Sequence, residues 1–330
     1  MAGTVELASI PTLAAMQRAQ AALSGVANAT PLHVSRTLGT RIGASVWLKP
    51  ECLQRTGSFK FRGAYTKIAG LSSDERSRGV ITYSSGNHAQ GVACAAALLN
   101  TRSVIVMPED AVPAKVDATR GYGAQVVFRG LNSLERQQRA LELQAEFGYT
   151  VVPPFDDTAI ITGQGTVGLE IVAELPDVDV VLVPVGGGGL ISGTALALKL
   201  VQPHITVIGV EPSGGSDAQQ SVRSGHIVTL DHADTIADGL RTVRIGSLNF
   251  EIMRRYLDDI VTVTDDEIRD AMRFILQRAK LVVEPSGAVG VAAALAGKVN
   301  LAGKRVVIVL SGGNVDSGLL SSVLLSKHEH

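Results

Sequence analysis

A lysine set between two phenylalanines, Phe59-Lys60-Phe61, follows Thr56-Gly57-Ser58, a Thr/Ser pattern that signals a helix start. Desolvation by aromatic neighbours and the positive end of a helix both disfavour an ammonium ion. Lys60 is therefore suited to act as a free amine nucleophile, as a Schiff-base lysine must. The plain alternative is a surface lysine whose stem lies on aromatic rings while its head stays in water. Four glycines, Gly186, Gly187, Gly188 and Gly189, precede Leu190 and follow the apolar run Val180 to Val185. A glycine turn between a strand and a helix exposes backbone N–H groups beside the helix dipole, which suits a phosphate. Ile191 and Ser192 stand where a dinucleotide fingerprint needs Gly or Ala, and Gly188 to Thr194 lacks the lysine of a nucleotide triphosphate loop. Tight strand-to-helix packing is the plain alternative for this turn.

Two further turns carry polar donors: Ser84-Ser85-Gly86-Asn87-His88 after Val80 to Tyr83, and Ser311-Gly312-Gly313-Asn314 after Val306 to Leu310. Their hydroxyls, amides and N–H groups suit a carboxylate or phenolate oxygen, although capping alone accounts for a serine at such a place. Glu211 and Asp217 flank Gly214-Gly215 and offer hard oxygen ligands together with a loop carbonyl, where solvated loop acids are the plain reading. No G-x-S-x-G occurs; Gly214-Gly215-Ser216-Asp217-Ala218 lacks the last glycine and does not read as a strand entering a clear helix.

Strand-like runs recur at Val46 to Leu48, Val80 to Tyr83, Val104 to Val106, Gln125 to Phe128, Val180 to Val185, Ile205 to Val210, Ile260 to Val263 and Val306 to Leu310. Helical patterns such as Gln90 to Leu99, Asn132 to Phe147 and Asp265 to Arg278 lie between them, so the expectation is an α/β fold of parallel sheets covered by helices. With 30 basic against 31 acidic side chains among 330 residues, nothing favours a nucleic acid or an anionic membrane, and a small molecule is the expected partner. Two cysteines, Cys52 and Cys94, exclude a disulfide framework and suit a reducing, cytoplasmic setting. No apolar run reaches the roughly 18 residues of a membrane span. Glu6, Gln17 and Arg18 argue against a signal peptide, and Pro11 to Leu23 reads as a packing helix.

The four turns in this order, with Leu48-Lys49-Pro50-Glu51, Gly163-Gln164-Gly165-Thr166, Ala237-Asp238-Gly239 and Val283-Glu284-Pro285-Ser286-Gly287-Ala288, resemble the serine/threonine dehydratase and serine racemase family of pyridoxal-phosphate enzymes. That family has the tryptophan synthase β fold type. The resemblance runs from Thr30-Pro31-Leu32 to Asn314. It implies a large cofactor domain from residues 1–53 and 153–330, with a small domain of residues 54–152 carrying Lys60 and the Ser84–His88 turn. It also implies a homodimer or homotetramer. Lys60, beside Phe59, would bond the aldehyde of pyridoxal 5'-phosphate, Asn87 would meet the ring hydroxyl, and Gly186 to Leu190 would hold the phosphate. Gly239 and Glu284 would line the ring, with Ser311 at the pyridine nitrogen, where a neutral hydroxyl gives a weaker electron sink than an aspartate. Ser84, Ser85, Asn87 and His88 would receive an amino-acid carboxylate, Ser85 lying on the ring face opposite Lys60. Glu211, the Gly215 carbonyl and Asp217 match the family's Mg²⁺ or Ca²⁺ loop, with Ser216 where many relatives have another acid.

The implied activity is an ammonia-lyase that dehydrates L-threonine and L-serine to 2-oxobutanoate and pyruvate. The chain ends soon after Ser311, so a C-terminal regulatory domain is not expected. Arg136 falls where serine racemases carry an arginine able to meet a second carboxylate, which keeps a racemase or a 3-hydroxyaspartate ammonia-lyase open beside the leading activity. A solvated helix face with Glu135 and Arg139 is its plain reading. From a different class, a non-catalytic small-molecule binder would keep the phosphate turn but would have no use for Lys60.

Overall fold

The computed structural model describes residues 10–325 except Asn132. Ten strands form two sheets: β1 (His33–Val34), β2 (Ser45–Lys49), β3 (Val80–Tyr83), β4 (Ser103–Met107), β5 (Gln125–Phe128), β6 (Thr150–Val151), β7 (Val180–Pro184), β8 (Thr206–Pro212), β9 (Asp259–Val263) and β10 (Arg305–Val309). The larger sheet has the order β1-β2-β10-β7-β8-β9 and the smaller β5-β4-β3-β6. Every pairing is parallel except β1 with β2, where His33 faces Leu48 in an antiparallel register. β7 is Val-Val-Leu-Val-Pro with every residue buried, the pattern of a parallel strand covered on both faces. Leu182 and Ile308 face one apolar cluster with Ala288, Val289 and Ala292, while Val181 and Val307 face another with Val167, Ile171 and Ile191.

The two short strands β1 and β6 lie outside the expected runs, because two-residue strands carry no readable alternation. The helix expected over Asn132 to Phe147 is described as Ser133–Phe147; Asn132 lies outside the described residues, as does Glu6. The helix expected through Arg278 ends at Phe274, and the chain continues as one wide turn, Ile275–Ala279. β8 does lead into a helix: after Pro212 a short turn, Ser213–Gly215, enters Asp217–Ser224, where the sequence suggested no clear helix. Among the described residues no helix is long and apolar enough to cross a membrane.

The Lys60–Ala69 helix lies against the Thr158–Glu174 helix at very short range. A Cβ at Gly163 would stand 2.6 Å from the Arg62 carbonyl oxygen, so glycine there permits the approach. On its other side a Cβ at Gly91 would stand 3.2 Å from the Lys60 carbonyl carbon, which sets the Asn87–Leu98 helix against the same backbone. Arg62, fully buried, anchors the helix from below. Its Nε and Nη2 donate to the two Glu51 carboxylate oxygens at 2.8 Å each, and its Nη1 and Nη2 to Glu170 at 2.5 and 2.8 Å. Thr166 and Thr30 hydroxyls accept from the same guanidinium, and Lys49 donates to Glu170 at 2.6 Å. Burial pushes the Glu51 carboxyl up, but Arg62 and Lys49 more than reverse this and hold it below its usual value.

Candidate active site

Parallel strands deliver their following turns to one sheet edge, the carboxyl edge, where α/β enzymes collect their chemistry. β3 leads to Ser84–His88, β7 to Gly186–Gly189, and β10 to Ser311–Asn314. The Lys60 turn joins them through backbone bonds: Phe59 N donates to Ser311 O at 3.1 Å and Gly313 N to Gly57 O at 2.9 Å, and Ser58 bridges Gly312. The helix start differs from expectation in detail. Phe59 occupies the cap position with no side-chain cap bond, and the Thr56 and Ser58 hydroxyls accept nothing from it. Phe61 is fully buried in the core, its ring tilted against that of Tyr65 with the centroids 5.7 Å apart. Only Phe59 flanks the amine, its ring centre 5.2 Å from Nζ.

Lys60 Nζ donates to the Pro154 carbonyl at 2.7 Å. Burial lowers its pKa to about 8, against an opposing pull from Glu284. Glu284 in turn is pushed up to about 8 by burial and by Asp238, and it accepts from Asn87 Nδ2 at 2.6 Å. Gly239 N donates to Ser286 Oγ at 2.9 Å, and Ser311 Oγ donates to Ser286 O at 3.3 Å, so Ser286 ties the ring-lining residues together. The Gly239 carbonyl oxygen lies 3.3 Å from where a Gly186 Cβ would be. Asp238 is held by Lys115 of the Pro113–Gly121 helix at 2.7 Å.

The glycine turn packs too closely on its neighbours to admit side chains. A Cβ on Gly187 would collide with the Phe155 ring, one on Gly189 would stand 3.1 Å from Phe155 Cα, and one on Gly188 would stand 2.7 Å from Asn249 Cβ. Gly188 also has φ +98°, a conformation that glycine adopts without strain. Residues 154–157 were missed by sequence reasoning, although the Pro153-Pro154 pair after a strand was a visible signal. Pro154 holds Lys60, and Phe155 lies on the glycine turn. Asp156 accepts from Ser247 N and Leu248 N at 2.9 and 3.0 Å, and Asp157 caps the Thr158–Glu174 helix and pairs with Lys67 at 2.7 Å.

Ser84 and Ser85 are half-buried at the end of β3, and Ser84 Oγ accepts from Gly86 N at 3.4 Å. The His88 ring is buried, Nε2 lies 3.0 Å from Val152 O, and burial with the Lys60 charge beside it lowers its pKa to about 3. The ring is thus neutral, with Nε2 on Val152 O and Nδ1 buried without a hydrogen-bond partner. Arg136 is half-buried on the Ser133–Phe147 helix, and its Nη1 donates to Leu131 O at 3.1 Å. It follows β5, two strands from β3 on the same carboxyl edge. Burial lowers its pKa against Asp110 and Glu135. Glu211, near the end of β8, and Asp217, which opens the helix after it, are both fully buried. Glu211 accepts from Ala218 N at 3.0 Å and Gln219 N at 2.8 Å, whereas both Asp217 carboxylate oxygens lack a partner. Burial raises both carboxyls, that of Asp217 to about 7. Among the described residues no cluster of three or more His, Cys, Asp or Glu side chains could hold a metal, so a cation here would need carbonyl or water ligands as well.

Pyridoxal phosphate fits this arrangement. The glycine turn opens the Gly189–Val201 helix with no side-chain cap on its first N–H groups, the amine is depressed towards neutrality, and the turns carrying Asn87, Glu284, Gly239 and Ser311 converge around it. The family model described as pyridoxal-phosphate-dependent enzyme matches residues 23–312. The L-threo-3-hydroxyaspartate ammonia-lyase of Saccharomyces cerevisiae is 45% identical over 97% of this chain and 98% of its own. The L-threonine ammonia-lyase of Thermotoga maritima is 46% identical over 95% of this chain and 78% of its own. Among solved structures, maize serine racemase superposes with a TM-score of 0.92 at 38% identity, covering 95% of this chain and 97% of that one.

Proposed function

The chain belongs to the pyridoxal-phosphate-dependent enzymes, in their ammonia-lyase and racemase group, and from that premise we propose that it dehydrates small β-hydroxy-α-amino acids, L-threonine and L-serine in the first place. The observation that carries this reading is the Lys60 amine, depressed to about 8 and held on Pro154 O among the glycine turn, Asn87 and Ser311. When bound, pyridoxal phosphate supplies an electron sink that acidifies the Cα–H of an amino acid. Lys60 would hold it, with Gly186 to Leu190 at its phosphate, Asn87 at its ring hydroxyl, Gly239 and Glu284 along its ring, and Ser311 at its ring nitrogen. Ser84, Ser85 and the N–H groups opening the Asn87–Leu98 helix receive the substrate carboxylate beside the positive helix end. Freed when the substrate's amine takes its place on the cofactor, Lys60 would accept the Cα proton, and the β-hydroxyl would take up a proton from the resulting ammonium and leave as water. The product hydrolyses to a 2-oxo acid and ammonium.

A second reading, 3-hydroxyaspartate as substrate, is favoured by the half-burial of Arg136 at the carboxyl edge that carries Ser84 and Ser85. Ser85 would be the group from which serine racemisation draws its second proton. The Asp217 carboxylate, buried without a partner beside Glu211, supports a bound Mg²⁺ or Ca²⁺ completed by the Gly215 carbonyl and water. The test is to purify the protein with its cofactor, assay L-threonine, L-serine, D-serine and 3-hydroxyaspartate, and repeat with Lys60→Ala. A coloured wild type and a colourless, inactive variant are expected. A variant that keeps both activity and a borohydride-fixed cofactor refutes the assignment.

A further inference from the structure

Asn314 stands between three turns. Its Nδ2 donates to Thr56 O and to Asn87 Oδ1, each at 2.8 Å, and Asn87 Nδ2 donates to Glu284 Oε1 at 2.6 Å. The direction of this relay is fixed chemically, because Thr56 O is a backbone carbonyl and can only accept. The Asn314 atom facing it must be the amide nitrogen. That nitrogen then meets the oxygen of Asn87, and both N–H groups of Asn87 face the other way. One reaches Glu284 and the other remains for a ligand. Rotated by half a turn, Asn87 would set its NH₂ against that of Asn314, leaving both without an acceptor there. Room for the relay comes from Gly57: at φ +75° it bears no Cβ, which would otherwise stand 2.5 Å from Asn314 Oδ1.

We infer that Asn314 is a positioning residue of the cofactor site: it locks the amide of Asn87 so that one N–H is aimed at the ring oxygen of pyridoxal phosphate. Through Thr56 and Gly57 the same side chain ties that contact to the turn carrying Lys60. The inference rests on the reading that the cofactor is bound at Lys60 with Asn87 at its ring hydroxyl. Asn314→Asp keeps the shape and removes the donors; Asn314→Ala removes the side chain. Three properties would be measured for these, for Asn87→Ala and for Asn314→Asp/Asn87→Ala. They are melting of the cofactor-free protein, the pyridoxal phosphate dissociation constant and the visible band of the bound cofactor.

Asn314→Asp is expected to melt close to wild type without cofactor and still to fix cofactor at Lys60 after borohydride. It should bind about tenfold more weakly, the weight of one hydrogen bond to a charged group, with its band displaced in the same direction as that of Asn87→Ala. The double variant should be no worse than Asn87→Ala alone, because the two residues act through one contact. Wild-type affinity and spectrum in Asn314→Asp, or penalties that add in the double variant, overturn the inference. So does a large loss of melting temperature in both position-314 variants without cofactor, which would make the residue structural. If the wild type fixes no cofactor at Lys60, the underlying reading fails first, a result distinct from all of these.

Discussion

Replacing Arg62 with methionine removes the one cation that bridges Glu51 and Glu170 while filling much the same volume. The guanidinium is fully buried and donates to both carboxylates in paired fashion. Glu51 is equally buried, and the remaining cation, Lys49, already serves Glu170 and the Thr30 carbonyl. The variant therefore leaves an unbalanced carboxylate in the interior, a change that costs about 3–5 kcal/mol. With an unfolding entropy of about 2.1 cal/mol/K per residue, 330 residues give roughly 0.7 kcal/mol/K, so the melting temperature should fall by about 4–7 °C. Adding Glu51→Gln restores charge balance and should recover a substantial part of the loss, so the two penalties are strongly non-additive. Scanning calorimetry of the cofactor-free single and double variants measures this. The pH dependence is a second check. Glu51 is held below its usual 4.5, so its contribution is complete above that value and is lost as the pH falls through the lowered one. The acid limb of wild-type stability should be steeper than that of the double variant. Arg62→Met melting within a degree of wild type, or a double variant losing the sum of both penalties, would refute the reasoning.

Because burial brings Lys60 to about 8, the rate at which cofactor-free protein captures pyridoxal phosphate should rise with pH through about 8 and level off above it; a rate still climbing towards 10.5, followed by stopped-flow absorbance, would contradict this. Gly187→Ala should weaken cofactor binding by at least tenfold, because the new methyl meets the Phe155 ring, and equilibrium dialysis reads the change. Mg²⁺ or Ca²⁺ should raise the melting temperature of the wild type and not of Asp217→Asn; identical melting with chelator and with metal would remove the cation from the proposal. Arg136→Ala should lower kcat/KM for 3-hydroxyaspartate tenfold to a hundredfold if its guanidinium binds a second carboxylate, the weight of a charge-assisted pair of about 1.5–3 kcal/mol. The same substitution should leave threonine unchanged, and equal effects on both substrates would sink the second reading.

The long strands were legible because β-branched runs bounded by glycine and acids have few other ways to fold. The turns that follow β3, β7 and β10 were legible because glycine beside polar donors is costly without a reason. What the sequence hid are contacts whose residue types are ordinary. Pro154 contributes only a carbonyl, Phe155 only a face, and Asn314 an amide whose importance lies in what stands on either side of it. The environment of Lys60 was anticipated for partly the wrong reason. Phe61 turns into the core and the Thr56 and Ser58 hydroxyls cap nothing, so enclosure by distant segments, rather than neighbours in the chain, lowers the amine. Pairing of the two short strands likewise depends on partners far away in sequence, β2 and β3.

The four residues Pro154 to Asp157 each grip a different element: the Lys60 amine, the glycine turn, the start of the Ser247–Tyr256 helix, and the Thr158–Glu174 helix together with Lys67. Connections of this kind usually accept inserted residues or a change of chain ends, since few contacts fix them. Here an added residue would throw all four attachments out of step at once. A split or circularly permuted form of the chain should therefore be cut at an exposed turn, such as Gly225 or Gly303, and this connection kept whole.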